Sequence, residues 1–205
     1  MKKIEYCFRI AHIDNIRYIN ETGFVLASSE QASTSYTPIG DPNVIEKRRT
    51  NIHGIDLTQY IPFYFGPRSI MLYVIQHGYN GVKRQEPHNI VYCVIKISDL
   101  IANNVDCLFT DGHALSAITT FYTHKQLKNI NNIISYKDVY AQYWNDEQDI
   151  DLKRRKEAEL LIKKELDKKH ICGYVVYNEK AKETLTAQGI EGNRIFIKPN
   201  YYFQP

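Results

Sequence analysis

Short apolar runs alternate with long polar connections along this chain, and the runs differ in period. Tyr6 to Ile10 reads as a strand, after which Ile13, Ile16 and Ile19 fall at helical spacing. Asp14 is placed to cap that helix and Gly23 to close it in a left-handed turn. Ala27 to Asp41, rich in Ser, Thr and Gly and flanked by Pro42, has no apolar period and reads as a long loop of the kind that often carries function. Tyr60 to Phe65 is aromatic and β-prone, and Gly66-Pro67 stops it. Ser69 is placed to cap a helix through Ile70, Leu72, Val74 and Ile75 that ends near Gly78. Ile90 to Ile97 is apolar on both faces, as a central strand would be.

Ala114 to Asn129 reads as a helix, followed by a polar, Asn-rich stretch to about Asp149. Late strands are expected at Cys172 to Tyr177 and Ile195 to Lys198, with a helix from Lys180 to Gln188, closed by Gly189, between them. Residues 151–169 are ambiguous, because Lys, Arg, Glu and Leu favour a helix there. With no internal repeat and 205 residues, the expectation is a single domain, 1–205.

Composition narrows the classes. At 43% hydrophobic and 24% charged residues the chain can bury an ordinary core. No window approaches the ~18 apolar residues of a membrane helix, and Met1-Lys2-Lys3 begins no signal-peptide pattern, so a cytoplasmic protein away from membranes is expected. Cys7, Cys93, Cys107 and Cys172 form no CxxC pair, which gives no support to a metal site. Cys93 and Cys172, inside apolar runs, read as small buried hydrophobes. A net charge of +3 is too mild to steer nucleic acid at long range. Sixteen tyrosines are compatible with base stacking, although most of them read as core or strand residues.

Five stretches carry candidate chemistry. Arg9, His12, Asp14 and Asn15 surround a strand-to-helix junction, whose free N–H groups suit a pyrophosphate; alternatively Asp14 is a cap and His12 a satisfied buried histidine. No glycine-rich dinucleotide or phosphate-loop motif accompanies them. Arg48-Arg49 are either two solvated cations or a fork for phosphate or base. In IPFYFGPRS, Phe63 and Phe65 read as packing, while Tyr64 and Arg68 alternate with them and can face a ligand. Asp111 and His113 flank Gly112 in a turn, as a cap or as polar site groups. Glu159 sits where the basic run Lys153-Arg154-Arg155-Lys156 meets the apolar Leu160-Leu161-Ile162.

In this order, RIAHIDN from Arg9, the Ile45 to Arg49 segment, YIPFYFGP from Tyr60, FTDGH from Phe109 and AELLI from Ala158 together resemble the DarT family of DNA ADP-ribosyltransferase toxins, over nearly the whole length. The resemblance implies an α+β, compact ADP-ribosyltransferase-like fold, with a split, mixed β core, a NAD cleft and helices outside. It also implies that Glu159 opens a short strand. The implied activity is transfer of ADP-ribose from NAD onto thymidine in single-stranded DNA, within a sequence context, opposed by a macrodomain antitoxin of the DarG type.

By the same resemblance Glu159 is the catalytic glutamate and Arg49 the essential arginine, with Arg48 left open as the alternative. NAD contacts are expected from Arg9, Ile10, Ala11, His12, Asn15, Tyr18, Leu26, Arg49, Tyr64 and Arg68. The target strand is expected to lie along His113 to Glu159. There His113, Tyr122, Tyr143 and Trp144, with Tyr136 and Tyr140, would meet bases, and Lys153, Arg154 and Arg155 would meet phosphates. Other readings stay open: the same chemistry on guanine or RNA, an NAD glycohydrolase, or a catalytically silent DNA-binding module.

Overall fold

An eight-stranded sheet runs through the chain in the computed structural model, which describes residues 2–204. Its strands are β1 (Tyr6–His12), β2 (Tyr60–Tyr64), β3 (Ile90–Lys96), β4 (Cys107–Thr110), β5 (Phe121–Thr123), β6 (Glu159–Lys163), β7 (Ile171–Val176) and β8 (Ile195–Ile197). They lie side by side as β8-β7-β3-β1-β2-β6-β4-β5. All neighbours are antiparallel except β7 and β8, so the sheet is mixed.

β3 is central because its apolar run leaves only Lys96 exposed, and β1 pairs with it from Tyr6↔Lys96 to His12↔Ile90. On its other side β1 meets β2 at one register position, Phe8↔Tyr64. Beyond it the strands part, which divides the sheet into two halves along a seam.

Helices cover both faces. Ile16 and Ile19 of α1 (Ile16–Thr22), Leu100 of α4 (Ile97–Ala102) and Leu185 of α6 (Glu179–Ala187) join Val91, Cys93 and Ile95 in the larger core. Leu72 and Ile75 of α3 (Ile70–His77) pack with Phe8, Tyr92 and Phe203 on the opposite face. Two short helices complete the frame of the site, α2 (Pro42–Lys47) and α5 (Leu152–Lys156). Ser69 accepts a bond from the Leu72 N–H and Gly78 ends α3 in the left-handed conformation, as expected. No helix among the described residues is long and apolar enough to cross a membrane.

Several expectations are corrected. His12, not Asp14, caps the first turn, its Nδ1 accepting from the Asp14 N–H. Gly23 has positive φ (84°) but an extended ψ, and its missing Cβ lets Leu166 O approach. Residues 114–129 form no long helix. Turns lead into β5, which pairs with the edge of β4, and a 3-10 segment (His124–Asn129) starts from a Thr123–Gln126 capping box. Cys172 is exposed, because a bulge between Ile171 and Gly173 takes it out of the strand alternation. Residues 151–169 hold both readings in turn: helix α5, then strand β6 opening at Glu159.

Candidate active site at the seam of the sheet

Each half of the sheet supplies one wall of a cleft at the seam. Arg9 points from β1 into the gap and donates to Pro62 O on β2 at 2.8 Å, with its guanidinium 5.6 Å from the Phe24 ring centroid. The Arg9 Nε is buried and has no hydrogen-bond partner. Two adjoining cavities share Arg9 and Tyr36. One continues past Tyr18, Phe24 and Leu26, the other past Ile10, Tyr64 and Arg48.

Glu159 lies behind Arg48 and Tyr64, which line the second cavity. As the first residue of β6 it pairs with Tyr64, and its N–H donates to the Thr110 hydroxyl at 3.0 Å. Its side chain is fully buried. Oε1 accepts from the Ala114 N–H at 3.0 Å, and Oε2 receives Arg48 Nη2 at 2.6 Å. Burial pushes this carboxyl up, but the Arg48 guanidinium, His113 and the Ala114 N–H outweigh it and hold the group below the ordinary carboxylate range. Burial likewise works against the Arg48 charge, and Glu159 more than restores it. Burial raises the Tyr64 phenol, with Glu159 adding to the effect, and lowers the His113 imidazole.

Local sequence explains why Arg48 is the arginine in the cleft. Asp41 caps α2 by accepting from the Asn43 N–H at 2.8 Å, with Pro42 in the first turn where no N–H is missed. That start fixes the helical phase, so that Arg48, the C-cap residue, turns inward. Arg49 turns to the surface and pairs with Glu46 at 3.1 Å, its side chain 67% exposed. The structure therefore joins Arg48, and not Arg49, to Glu159.

The other expected NAD contacts divide. Arg9, Ile10, Tyr18, Leu26 and Tyr64 line the two cavities. Ala11 is a core residue, and His12 caps a turn. Asn15 is buried and holds the long loop instead, bonding both the N–H and the carbonyl of Thr37 at 2.8 Å. Arg68 belongs to a different groove, beside Trp144 and Phe203. Tyr36 also lines both cavities; an aromatic residue in a Ser/Thr-rich loop was its only signal in the sequence.

The expected nucleic-acid residues divide too. Tyr143, Trp144 and Lys153 line that second groove. His113 lies beside Glu159, its Nδ1 accepting from the Leu115 N–H. Tyr122 stacks on Phe109 at 5.0 Å, and Tyr136 stacks with Tyr140, both against the core. Arg154 and Arg155 are a correction. Arg154 forks onto Asp151 at 2.7 and 2.8 Å and reaches Asp111 at 2.9 Å. Arg155 binds Asp138 at 2.7 Å and Asp149 at 2.6 Å. Both guanidiniums are occupied in fixing the segment before Glu159, so neither is open to a phosphate. Among the described residues, no group of three or more His, Cys, Asp or Glu side chains is placed to hold a metal.

A split sheet with a buried Arg–Glu pair beside a cleft at its seam defines a class of site able to hold a charged ligand. The family model for the single-stranded-DNA thymidine ADP-ribosyltransferase DarT matches residues 8–203, and the chain belongs to that family. A DNA ADP-ribosyl transferase of Escherichia coli O127:H6 is 32% identical, over 96% of this chain and 92% of that protein. A DNA ADP-ribosyl transferase–DNA ADP-ribosyl glycohydrolase fusion protein of Thermosipho africanus is 31% identical, and this chain spans about half of it (49%). Among solved structures, Thermus sp. 2.9 DarT with ADP-ribosylated single-stranded DNA shares the fold at TM-score 0.83 and 23% identity, over 99% of this chain and all of that one (100%). Thermosipho africanus DarTG with ADP-ribose has TM-score 0.81 and 27% identity, over 98% of this chain and 51% of that one.

Proposed function

We propose that this single-domain chain is a toxin that transfers ADP-ribose from NAD onto a thymidine base of single-stranded DNA, with release of nicotinamide. The observation that carries this reading is the buried Arg48–Glu159 pair beside the seam cleft, in a member of the DarT family. NAD suits the cleft because the Arg9 Nε is buried, cationic and unpartnered, a donor for the pyrophosphate. Tyr18, Leu26 and Tyr36 would bound the nucleoside end, and Tyr64 the nicotinamide end.

In the reaction the bond from ribose C1′ to the nicotinamide nitrogen breaks, and its electron pair leaves with nicotinamide. A base nitrogen then supplies the pair for the new C1′–N bond and loses its proton. Glu159 is already ionised, dry and oriented, so it stabilises the positive charge that develops at C1′ without reorganising. Arg48 fixes that carboxylate. Where it meets the thymine it lowers the cost of the anionic base; a guanidinium stays protonated and cannot act as the base itself, so the proton goes to a separate acceptor. The glycohydrolase module of the fused relative supports a DarG-type macrodomain partner that reverses the modification, and a cytoplasmic setting accords with a DNA target.

Incubation with NAD and a mixed-sequence single-stranded oligonucleotide, read by mass spectrometry after nuclease mapping, tests the reading. One added ADP-ribose on thymidine, absent in Glu159→Ala, is expected. NAD consumed with the oligonucleotide unmodified would make the chain a glycohydrolase. No consumption at all would leave only a binding module.

A further inference from the structure

Glu159 has to meet the nicotinamide ribose if it is to stabilise charge at C1′, yet in the free chain no ligand can reach it. Its side chain is 0% exposed, and it lines neither cavity of the seam. Two side chains stand in front of it, Tyr64 and Arg48. Tyr64 cannot step aside, because it belongs to β2 and its register partner across the ladder is Glu159 itself. Arg48 is the removable cover, its Nη2 donating to Oε2 at 2.6 Å.

Arg48 is carried by an element with little else to hold it. α2 buries none of its residues, and Ile45 on it is 49% exposed. Its start is fixed: Asp41 is buried, and its carboxylate accepts from the Asn43 N–H at 2.8 Å and from Asn80 Nδ2 at 3.3 Å. Thr37, shortly before, is clasped by Asn15. Beyond Arg48 the chain runs out through exposed Arg49, Thr50 and Asn51. A short helix fixed at one end, unburied along its length and tied at the other end by an ion pair has the build of a hinged lid, with Arg48 as its latch.

The latch also defines what opens it. Parting Arg48 from Glu159 leaves two charges without partners, which is costly unless each finds a new one. NAD brings both. Its pyrophosphate supplies negative charge for Arg9 and Arg48, which line one cavity together, and its oxidised pyridinium ring is a cation to set beside Glu159. A ribose hydroxyl then donates to Oε2 in place of the guanidinium. Oε1 keeps its bond from the Ala114 N–H at 3.0 Å, so the carboxylate stays aimed. We propose that α2 is a lid, closed over Glu159 by Arg48 in the free chain and opened by an exchange of ion pairs that needs a dinucleotide with a cationic ring. The proposal rests on the reading of the cleft as an NAD site.

Spin labels test the movement. One goes on Glu46→Cys, at a position 68% exposed on α2, and the other on native Cys172, the exposed cysteine of β7. A second pair, with Glu183→Cys on α6 in a Cys172→Ser background, gives another line of sight. Distances by double electron–electron resonance are compared for the free chain, for carba-NAD (cationic ring, uncleavable glycosidic bond) and for NADH (neutral ring), with binding of each followed by calorimetry. A hydroxyl on Oε2 with the guanidinium beyond it places Arg48 two hydrogen bonds out, about 5–6 Å, against 2.6 Å in the closed chain. Saturating carba-NAD should therefore shift at least one label distance by about 3 Å. NADH should bind at least about 10-fold more weakly and leave both distances as in the free chain. Glu159→Gln, which removes the charge but keeps the shape, should erase that preference; the comparison in the native site does not depend on it. Carba-NAD bound with both distances unchanged would overturn the lid, and equal affinity and shift with NADH would overturn the exchange. Either result would leave the NAD reading standing, whereas failure of carba-NAD to bind would overturn both.

Discussion

The Arg48–Glu159 pair can be weighed by a double-mutant cycle of Arg48→Met, Glu159→Gln and the two combined. At 2.6 Å, with side chains 13% and 0% exposed, the pair is of the kind in which removing one partner strands the other charge. Each single change should therefore cost about 3–5 kcal/mol, against a total stability of about 5–15 kcal/mol for a domain. The double variant should recover much of this loss, because neither charge then remains. Urea unfolding at pH 7 measures all four corners of the cycle.

The pH dependence provides a second sign to check. In the native chain Glu159 has a lowered folded pKa, so its contribution is present above the ordinary carboxylate range and is lost as pH falls through the folded value. In Arg48→Met burial acts unopposed by the guanidinium, and Glu159 becomes a carboxyl with a raised pKa. Stability should then decrease as pH rises from about 5 to 7, opposite in sign to this residue's native contribution. A coupling energy below about 1 kcal/mol, the range of an exposed pair, or an unchanged pH slope in Arg48→Met, would refute the reasoning.

Other consequences can be measured more simply. Arg49→Ala, at a solvent-exposed position paired only with Glu46, should retain DNA modification within a few-fold, while Arg48→Ala abolishes it; the reverse order would reassign the arginine. Burial and the neighbouring Glu159 raise the Glu157 carboxyl to about 7, so keeping it ionised in the fold is unfavourable. Its penalty is absent below the unfolded carboxylate value and complete above about pH 7, so Glu157→Gln should gain stability over the native chain at pH 8 but not at pH 4.5, by denaturation at both. Gly66→Ala would place a methyl group 2.2 Å from Val139 O, a backbone atom that cannot yield cheaply, and should lower the unfolding midpoint by an amount equivalent to at least ~1–3 kcal/mol.

The sequence made the fold legible where local and long-range preferences agree. The apolar run from Ile90 is the central strand, Ile90–Lys96, and Ser69 and Gly78 bracket α3 as their chemistry demands. It misled where partners are distant. Phe121 to Thr123 became strand because the open edge of β4 was there to pair with, which no periodicity within 114–129 announces. Arg154 and Arg155 look like free phosphate contacts until Asp111 and Asp138 arrive from elsewhere in the chain, joining Asp149 and Asp151 close by. The choice between Arg48 and Arg49 was closer to hand. Asp41-Pro42 is a helix start, and reading it would have brought out α2 and, with it, the turn that separates the two side chains.

The parting of β1 and β2 beyond Phe8↔Tyr64 leaves two halves of one sheet tied at the seam largely by side chains. Arg9, reaching across to the Pro62 carbonyl, is therefore a tie between the halves as well as part of the cleft. Substitutions to proline within β1 should prove far harsher than substitutions to alanine there, because proline removes an N–H from the ladder that pairs β1 with β3.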